Sequence, residues 1–387
     1  MPKPTYRVRT FALETIVGLW LVGLLIATGP NIIESATMRL ALFLWVVPLG
    51  LMVRGPRFVV PTAFRQDGIL SLLLVMFFLV AMPMAVAGAN PSVSVPLLLL
   101  TAGGVWICGG LWELLEERGL VALSVYSMVG TGTLLWTYFT IDWAGARFGA
   151  GRNPNSLGLL IVSLVAASYA IRYRTGRLFV LFAAGVLLLA SGSRSALIGS
   201  LIVAGVMAIP WVKARSRRLQ IWLLVLSAPM LVGALAVGPE LLDSIAGVLA
   251  WDDPYRGIES GFTRRTLVWR ESLALWQASP IFGVGFRAHE AFLSTASSAH
   301  NGYLALLAEV GIIGAALLGA VVAWRLRWLV KYHEAEWSQV AWIGLALLAG
   351  YGFIAFFERY FLNVGNPTSL LVIMFLVMPV QRRRGLR

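Results

Sequence analysis

Two kinds of side chain in this sequence have types and settings suited to chemistry, arginine and histidine. Arg194 stands in the hydroxyl-rich turn Ser191-Gly192-Ser193-Arg194-Ser195, and Arg152 in Gly149-Ala150-Gly151-Arg152-Asn153-Pro154-Asn155, each between apolar runs. A guanidinium fork matches phosphate oxygens two at a time, and a helix N-terminus adds a favourable dipole, so both positions fit a diphosphate. The plainer reading is that both snorkel to lipid phosphates at a membrane surface. His300 stands directly before an apolar run in Ala299-His300-Asn301-Gly302-Tyr303. An imidazole there, able to take a proton near neutral pH, suits a general base that activates a hydroxyl, although boundary histidines also cap and pack. His289 is the runner-up for that role, and His333 reads as a solvated bystander.

These residues sit in a chain whose solvent is mostly lipid. Of its 387 residues 59% are hydrophobic, before 39 glycines are counted, and only 13% are charged. Soluble domains carry about 25% charged residues, so an ordinary soluble enzyme is excluded. Apolar runs able to cross roughly 30 Å of hydrocarbon fall at about 12–29, 38–53, 68–88, 93–112, 119–141, 155–171, 178–191, 195–212, 219–237, 301–323, 338–356 and 368–380. With no water to satisfy backbone groups, each should be a helix. The expected fold is one all-α integral membrane domain over 1–387 with about twelve transmembrane helices. Its first span should be uncleaved, because Ala27-Thr28-Gly29 is a poor signal-peptidase site. The one cysteine, Cys108, cannot form an internal disulfide, and three histidines cannot build a Cys/His metal cluster.

The net charge of +13 divides by side of the membrane. With the N-terminus inside, 21 of the 31 basic residues fall in cytoplasmic segments, which predicts both termini in the cytoplasm. The other ten are Arg39, Arg147, Arg152, Arg194 and Arg359 in short outer loops, and Arg256, Arg264, Arg265, Arg270 and Arg287 in one long outer segment, about 238–300. A structureless loop of that length is unusual, so this extracytoplasmic cap should contain helices. Thr263–Ala278 reads as one, with Thr263 as N-cap and Pro280 beyond its end. On it Arg265, Trp269, Leu273 and Trp276 share one face, while Thr266, Arg270, Ala274 and Gln277 share another. Acids are few beside Arg194 and His300 in sequence, so a divalent metal there would lack ligands, and none is expected.

Four separated strings then resemble the O-antigen ligase and O-antigen polymerase superfamily: GRNPNSLGLL (151–160), SGSRSALIG (191–199), WRESLALWQASPIFGVGF (269–286) and AHNGYLALLAEVGIIG (299–314). They occur in family order over roughly 150–320, the family-like catalytic region. The resemblance implies a C-type glycosyltransferase-like fold in the bacterial inner membrane, with its active site facing the periplasm. It implies a glycan donor linked to undecaprenyl diphosphate, an acceptor sugar hydroxyl on lipid A core or another glycan, and no cofactor. It makes His300 the base and Arg194 and Arg270 the diphosphate holders, with Arg152 and Arg265 as further phosphate candidates. Asn301 either orients the histidine or caps the following helix. Glu309 should face the bundle interior, where it tunes His300, pairs with a buried arginine or serves only structure. No nucleic-acid partner is expected. Ligase and polymerase share these motifs, and one dominant outer loop favours ligase. A secondary transporter or lipid-linked oligosaccharide flippase is the rival of another class, but the halves do not resemble each other and the unusual charges gather at the outer boundary.

Overall fold

A computed structural model describes residues 4–28, 36–115, 119–140, 147–213, 265–294, 298–332, 338–358 and 362–379. All regular structure among them is helical. The helices are α1 (Pro4–Ala27), α2 (Ala36–Leu44), α3 (Val46–Arg54), α4 (Pro56–Val59), α5 (Thr62–Gln66), α6 (Gly68–Ala87), α7 (Pro91–Leu115), α8 (Leu120–Thr140), α9 (Pro154–Ser168), α10 (Arg174–Ser191), α11 (Arg194–Lys213), α12 (Arg265–Ala278), α13 (Gly302–Tyr332), α14 (Ser338–Ile354) and α15 (Pro367–Leu376). A single 3-10 turn, His289–Phe292, lies between α12 and α13. Among the described residues six helices are long and apolar enough to cross a membrane: α6, α7, α8, α10, α11 and α13. Shorter apolar helices occupy Phe11–Ala27, Leu40–Arg54, Pro154–Ser168, Gln339–Ile354 and Pro367–Leu376. The ninth expected span, 219–237, lies outside the described residues, as does Thr263.

The core forms around α9, which is buried at every position from Leu157 to Ser168. A helix that is apolar all round belongs inside a bundle, and α8, α10, α11, α14 and α15 enclose this one. Its few hydroxyls are bonded inward: Ser163 to Tyr126 at 2.8 Å and to Thr368 at 3.1 Å. The second span is an apolar helical stretch, Leu40–Arg54, in which Trp45, with helical backbone angles, separates α2 from α3. One expectation changes in detail. The tenth continues past 323 to Tyr332, which places Arg325 inside a helix rather than in a cytoplasmic loop. Arg325 is buried; its Nη1 donates to Asp67 at 3.1 Å, and its other nitrogens donate to the carbonyls of Leu376 and Met378 at the end of α15. That cation is a C-cap and an ion pair joining α6, α13 and α15, with Trp324 also donating to Asp67.

The feature that shapes the site is a break in α13. Gly311 has φ 63° and ψ −170°, which interrupts the helical hydrogen bonds. The segment Pro280–Gly285 lies across the gap. Val284 and Gly285 donate to the carbonyls of Ala308 and Glu309 at 2.8 and 3.0 Å, while Ile312 and Ile313 donate to Pro280 and Ile281 at 2.8 and 3.3 Å. Irregular backbone at membrane depth is tolerated only where protein satisfies it in this way. The fit leaves no room for a side chain: a Cβ on Gly311 would stand 2.2 Å from the Ile281 carbonyl oxygen, and one on Gly283 would stand 2.5 Å from the Glu309 carbonyl carbon. Gly311→Ala should therefore destabilise the protein by ~1–3 kcal/mol or more. Gly319→Ala, in the same helix with open space around it, should be neutral or stabilising by up to about 1 kcal/mol. Thermal unfolding of the two variants in detergent checks the contrast, and equal midpoints would remove the claim.

Candidate functional site

The turns at one end of the bundle bring together side chains from five stretches of sequence. Gly192 ends α10 in the left-handed conformation, φ 56°, and reverses the chain into α11, whose first residue is Arg194. Arg147 packs against that turn; its Nε donates to the Ser191 carbonyl at 2.6 Å and its Nη2 to Asn155 Oδ1 at 2.8 Å. Asn155 lies in the first turn of α9, which Asn153 caps by accepting from the Asn155 N–H. The Asn155 side chain in turn hydrogen-bonds Glu358, just beyond the end of α14. Glu358 also pairs with Arg265, the first residue of α12, at 3.6 Å. Arg265 stands close enough to His300 for its charge to act on the imidazole. The result is a chain of contacts from Ser191 through Arg147, Asn155 and Glu358 to Arg265, whose charge acts on His300.

His300 is held in an unusual backbone state, φ 46°, which an L side chain rarely adopts. Asn301 follows it and caps α13, its Oδ1 accepting from the Tyr303 and Leu304 N–H groups at 3.0 and 3.1 Å. Of its two expected roles, the carboxamide oxygen is committed to the cap. Gly302 N–H donates to the Ala355 carbonyl at 2.7 Å and the Tyr303 hydroxyl to that of Gly352, so this turn is docked on the last turn of α14, beside Glu358.

The electrostatics follow from burial and from the arginines. Burial, and then the Arg265 charge, hold the His300 imidazole below its ordinary value near 6.5, so the ring is neutral and able to accept a proton at neutral pH. Burial pushes the Glu358 carboxyl up to about 7, against the opposing pull of Arg265, Asn155 and Arg147. Arg194 places a cation at a helix N-terminus, where the dipole disfavours it.

Arg270 is exposed on α12, pointing away from the packed face as expected; Val268 and Ser272 are buried, Leu275 is half-buried and Leu273 exposed, so the apolar face expected around Leu273 is turned by about one residue. Other expected site residues are engaged elsewhere. Arg152 spends its guanidinium on the end of α1: Nη2 donates to Leu25 O at 2.6 Å and Nε to Thr28 Oγ1 at 3.2 Å. Burial lowers it to about 10, still fully protonated at neutral pH. It lines a cavity of about 590 Å³ between α1, Phe43, the start of α9 and residues 363–366. Polar groups of that lining act as local caps, Asn366 Oδ1 accepting from Thr368 and Ser369 N–H and Asn363 Oδ1 from Gly365 N–H. The Glu309 carboxylate pairs with His289, at 2.6 Å, and the partner expected for it was His300 or an arginine. His289 is fully buried, and its other ring nitrogen accepts the Ala299 N–H at 3.3 Å, so both its nitrogens are engaged inside the protein. Sequence reasoning missed Glu358 and the part played by Arg147. The signal for Glu358 was its rarity, an acid at the outer end of a span in a chain with only 18.

Residues 178–319 match the family model described as O-antigen ligase, which supports the resemblance to the O-antigen ligase and polymerase superfamily over that region. The matched region contains Arg194, Arg265, Arg270, His289, His300, Asn301 and Glu309, and it excludes Arg147, Asn155 and Glu358. The match supports a function of O-antigen ligase or polymerase type in general, in a multi-pass membrane protein that handles lipid-linked glycans. No curated protein matches the chain.

The His300 environment has a measurable sign. A folded chain that binds a proton less tightly than the unfolded chain loses stability as pH falls through about 6.5. Acylation of His300 by diethyl pyrocarbonate, resolved by mass spectrometry against pH, should give a midpoint below 6.5, and Arg265→Gln should move it upward. A wild-type midpoint at or above 6.5 would contradict the assignment.

Proposed function

We propose that this protein is an O-antigen ligase-like glycosyltransferase, spanning the bacterial inner membrane about twelve times with both termini cytoplasmic and the His300 array on the periplasmic face. The observation that carries the reading is the convergence of a neutral, half-buried His300 with Arg265 and Glu358, in an array that runs on to the turn bearing Arg194. The donor is a glycan on undecaprenyl diphosphate and the acceptor a sugar hydroxyl of lipid A core. His300 takes the acceptor proton as the acceptor oxygen bonds to the anomeric carbon; the bond from that carbon to the diphosphate oxygen breaks with inversion. The departing undecaprenyl diphosphate carries the electron pair, which Arg194 and Arg265 stabilise, with Arg270 reaching from the exposed face of α12. Glu358 and Asn155 hold Arg265 and Arg147 in place. The scheme needs no metal: arginines supply the positive charge at the leaving group.

A polymerase of the same superfamily would use the end of another lipid-linked repeat as acceptor. A transporter or flippase draws support from the broken helix at Gly311, a device also found in transporters. Purified protein, donor lipid and acceptor glycan, with neither nucleotide nor ion gradient, separate these readings. Glycan transfer to lipid A core is expected; transfer only to a lipid-linked repeat makes the protein a polymerase, and movement of donor lipid without product makes it a transporter. His300→Ala and Arg194→Ala should each lose ~10²-fold or more in kcat while inserting normally. Arg194→Lys should fail as well, because an ammonium lacks the fork. Wild-type turnover in either alanine variant overturns that residue's role.

A further inference from the structure

Two buried ionisable groups play no part in the scheme above, His289 and Glu309, at 0% and 4% exposure. Glu309 is anchored from two directions. It lies on α13 two residues before the Gly311 break, about 10 Å along the helix from Gly302, and its backbone carbonyl accepts from Gly285 N–H at 3.0 Å. His289 begins the 3-10 turn of the outer segment. Its Nδ1 is 2.6 Å from Glu309 Oε1, and its Nε2 is 3.3 Å from the backbone nitrogen of Ala299. A backbone N–H can only donate, so Nε2 holds a lone pair, and the ring proton sits on Nδ1 and donates to the carboxylate.

Ala299 is the residue before His300. We propose that Glu309 and His289 form a positioning pair: the carboxylate fixes the ring, and the ring fixes the Ala299 N–H, which sets the backbone from which His300 projects toward Arg265. The proposal rests on the reading of His300 as the base. His300 needs such support because its left-handed backbone costs roughly 1–2 kcal/mol and persists only where neighbours over-determine it. On its far side the Asn301 cap and the Gly302 bond to Ala355 do this. On its near side the described ties are the Ala299 bond to His289 and the bond from His300 N–H to Ser298 Oγ, long at 3.4 Å. Release of Ala299 frees the turn to adopt an ordinary backbone conformation, which swings the imidazole away from Arg265. The chain WRESLALWQASPIFGVGF thereby gains a second duty, since the segment that closes the helix break also delivers His289 to the back of the base.

The test uses the full-length protein in lipid nanodiscs with three variants. His289→Gln extends an amide oxygen to the place of Nε2 and can still accept from Ala299. His289→Asn is one bond shorter, reaches only the place of Nδ1 and cannot. Glu309→Gln keeps an oxygen for the Nδ1 proton. Hydrogen exchange of peptides containing the Ala299 amide should be fast in His289→Asn and close to wild type in the two Gln variants. In the transfer assay His289→Asn should lose about 10²-fold in kcat, the scale set by misplacing a reacting group by about 1 Å, with the KM for donor lipid within about twofold. The two Gln variants should keep most of their turnover. Equal loss in all three variants, tracking a lowered unfolding temperature, would make the pair purely structural and overturn the proposal. Unchanged exchange at Ala299 in His289→Asn overturns it too. Wild-type turnover in His300→Ala would instead remove the base reading, while the exchange data still decide whether the pair holds the turn.

Discussion

Hydrocarbon offers a backbone amide no partner, and this requirement organises the chain around its functional end. At Gly311 the helical ladder of α13 stops, leaving carbonyls before the break and N–H groups after it to be satisfied by something other than helix. The chain solves this with Pro280–Gly285, which donates twice and accepts twice across the gap. Three glycines make the approach possible, Gly283 and Gly311 on the two sides and Gly285 against the Met84 carbonyl of α6, where a Cβ would stand 2.9 Å away. A segment so held has a fixed exit, and the residues that leave it, Phe286 to Phe292, inherit its position. His289 is among them.

The arginines divide by what their donors meet. Arg325 and Arg152 each close the C-terminal end of a helix, α15 and α1, giving their N–H groups to carbonyls that have no intrahelical partner. Such an arginine is committed to structure, and its charge is offset by the helix dipole. Arg194 sits at the opposite kind of end, where the dipole adds to its charge. Arg147 and Arg265 are held by side chains or turns at the same end of the bundle, Asn155, Glu358 and the Ser191 carbonyl. What sets Arg194 apart is the kind of helix end it occupies; Arg147, whose Nε meets the Ser191 carbonyl at the last residue of α10, shares the C-terminal duty of Arg325 and Arg152.

This explains how far the sequence could be read. The helical membrane class followed from hydropathy, and the region of the site followed from motif order, because both are local properties of the chain. The placement of His300 and Arg194 in turns at helix starts was legible for the same reason, each standing at a span boundary. The roles of Arg152, Glu309 and Arg270 depend on what lies across space, and sequence spacing holds no such information. Arg152 meets the end of α1 across 127 residues, and Glu309 meets His289 across 20 with a turn and the start of a helix between them. The continuation of α13 to Tyr332 was hidden because Arg325 reads as a loop charge until its partners Asp67 and Met378 are seen. Glu358 was passed over because nothing beside it in sequence marks it.

Glu358 also shows what an acid does where arginines gather. Guanidinium groups brought close together repel one another, so bare arginines would spread apart. A permanently ionised carboxylate would hold Arg265 and Arg147 together but cancel the field that attracts the ligand. A buried carboxyl pushed up to about 7 stands between these cases, since burial favours its neutral form and its arginine partners favour its charged one. An anion arriving beside Arg265 raises the proton affinity of Glu358 further, so the carboxyl takes up a proton as the ligand takes over its partner. An acid so placed holds Arg265 while no other anion stands beside it, and its negative charge weakens when one does.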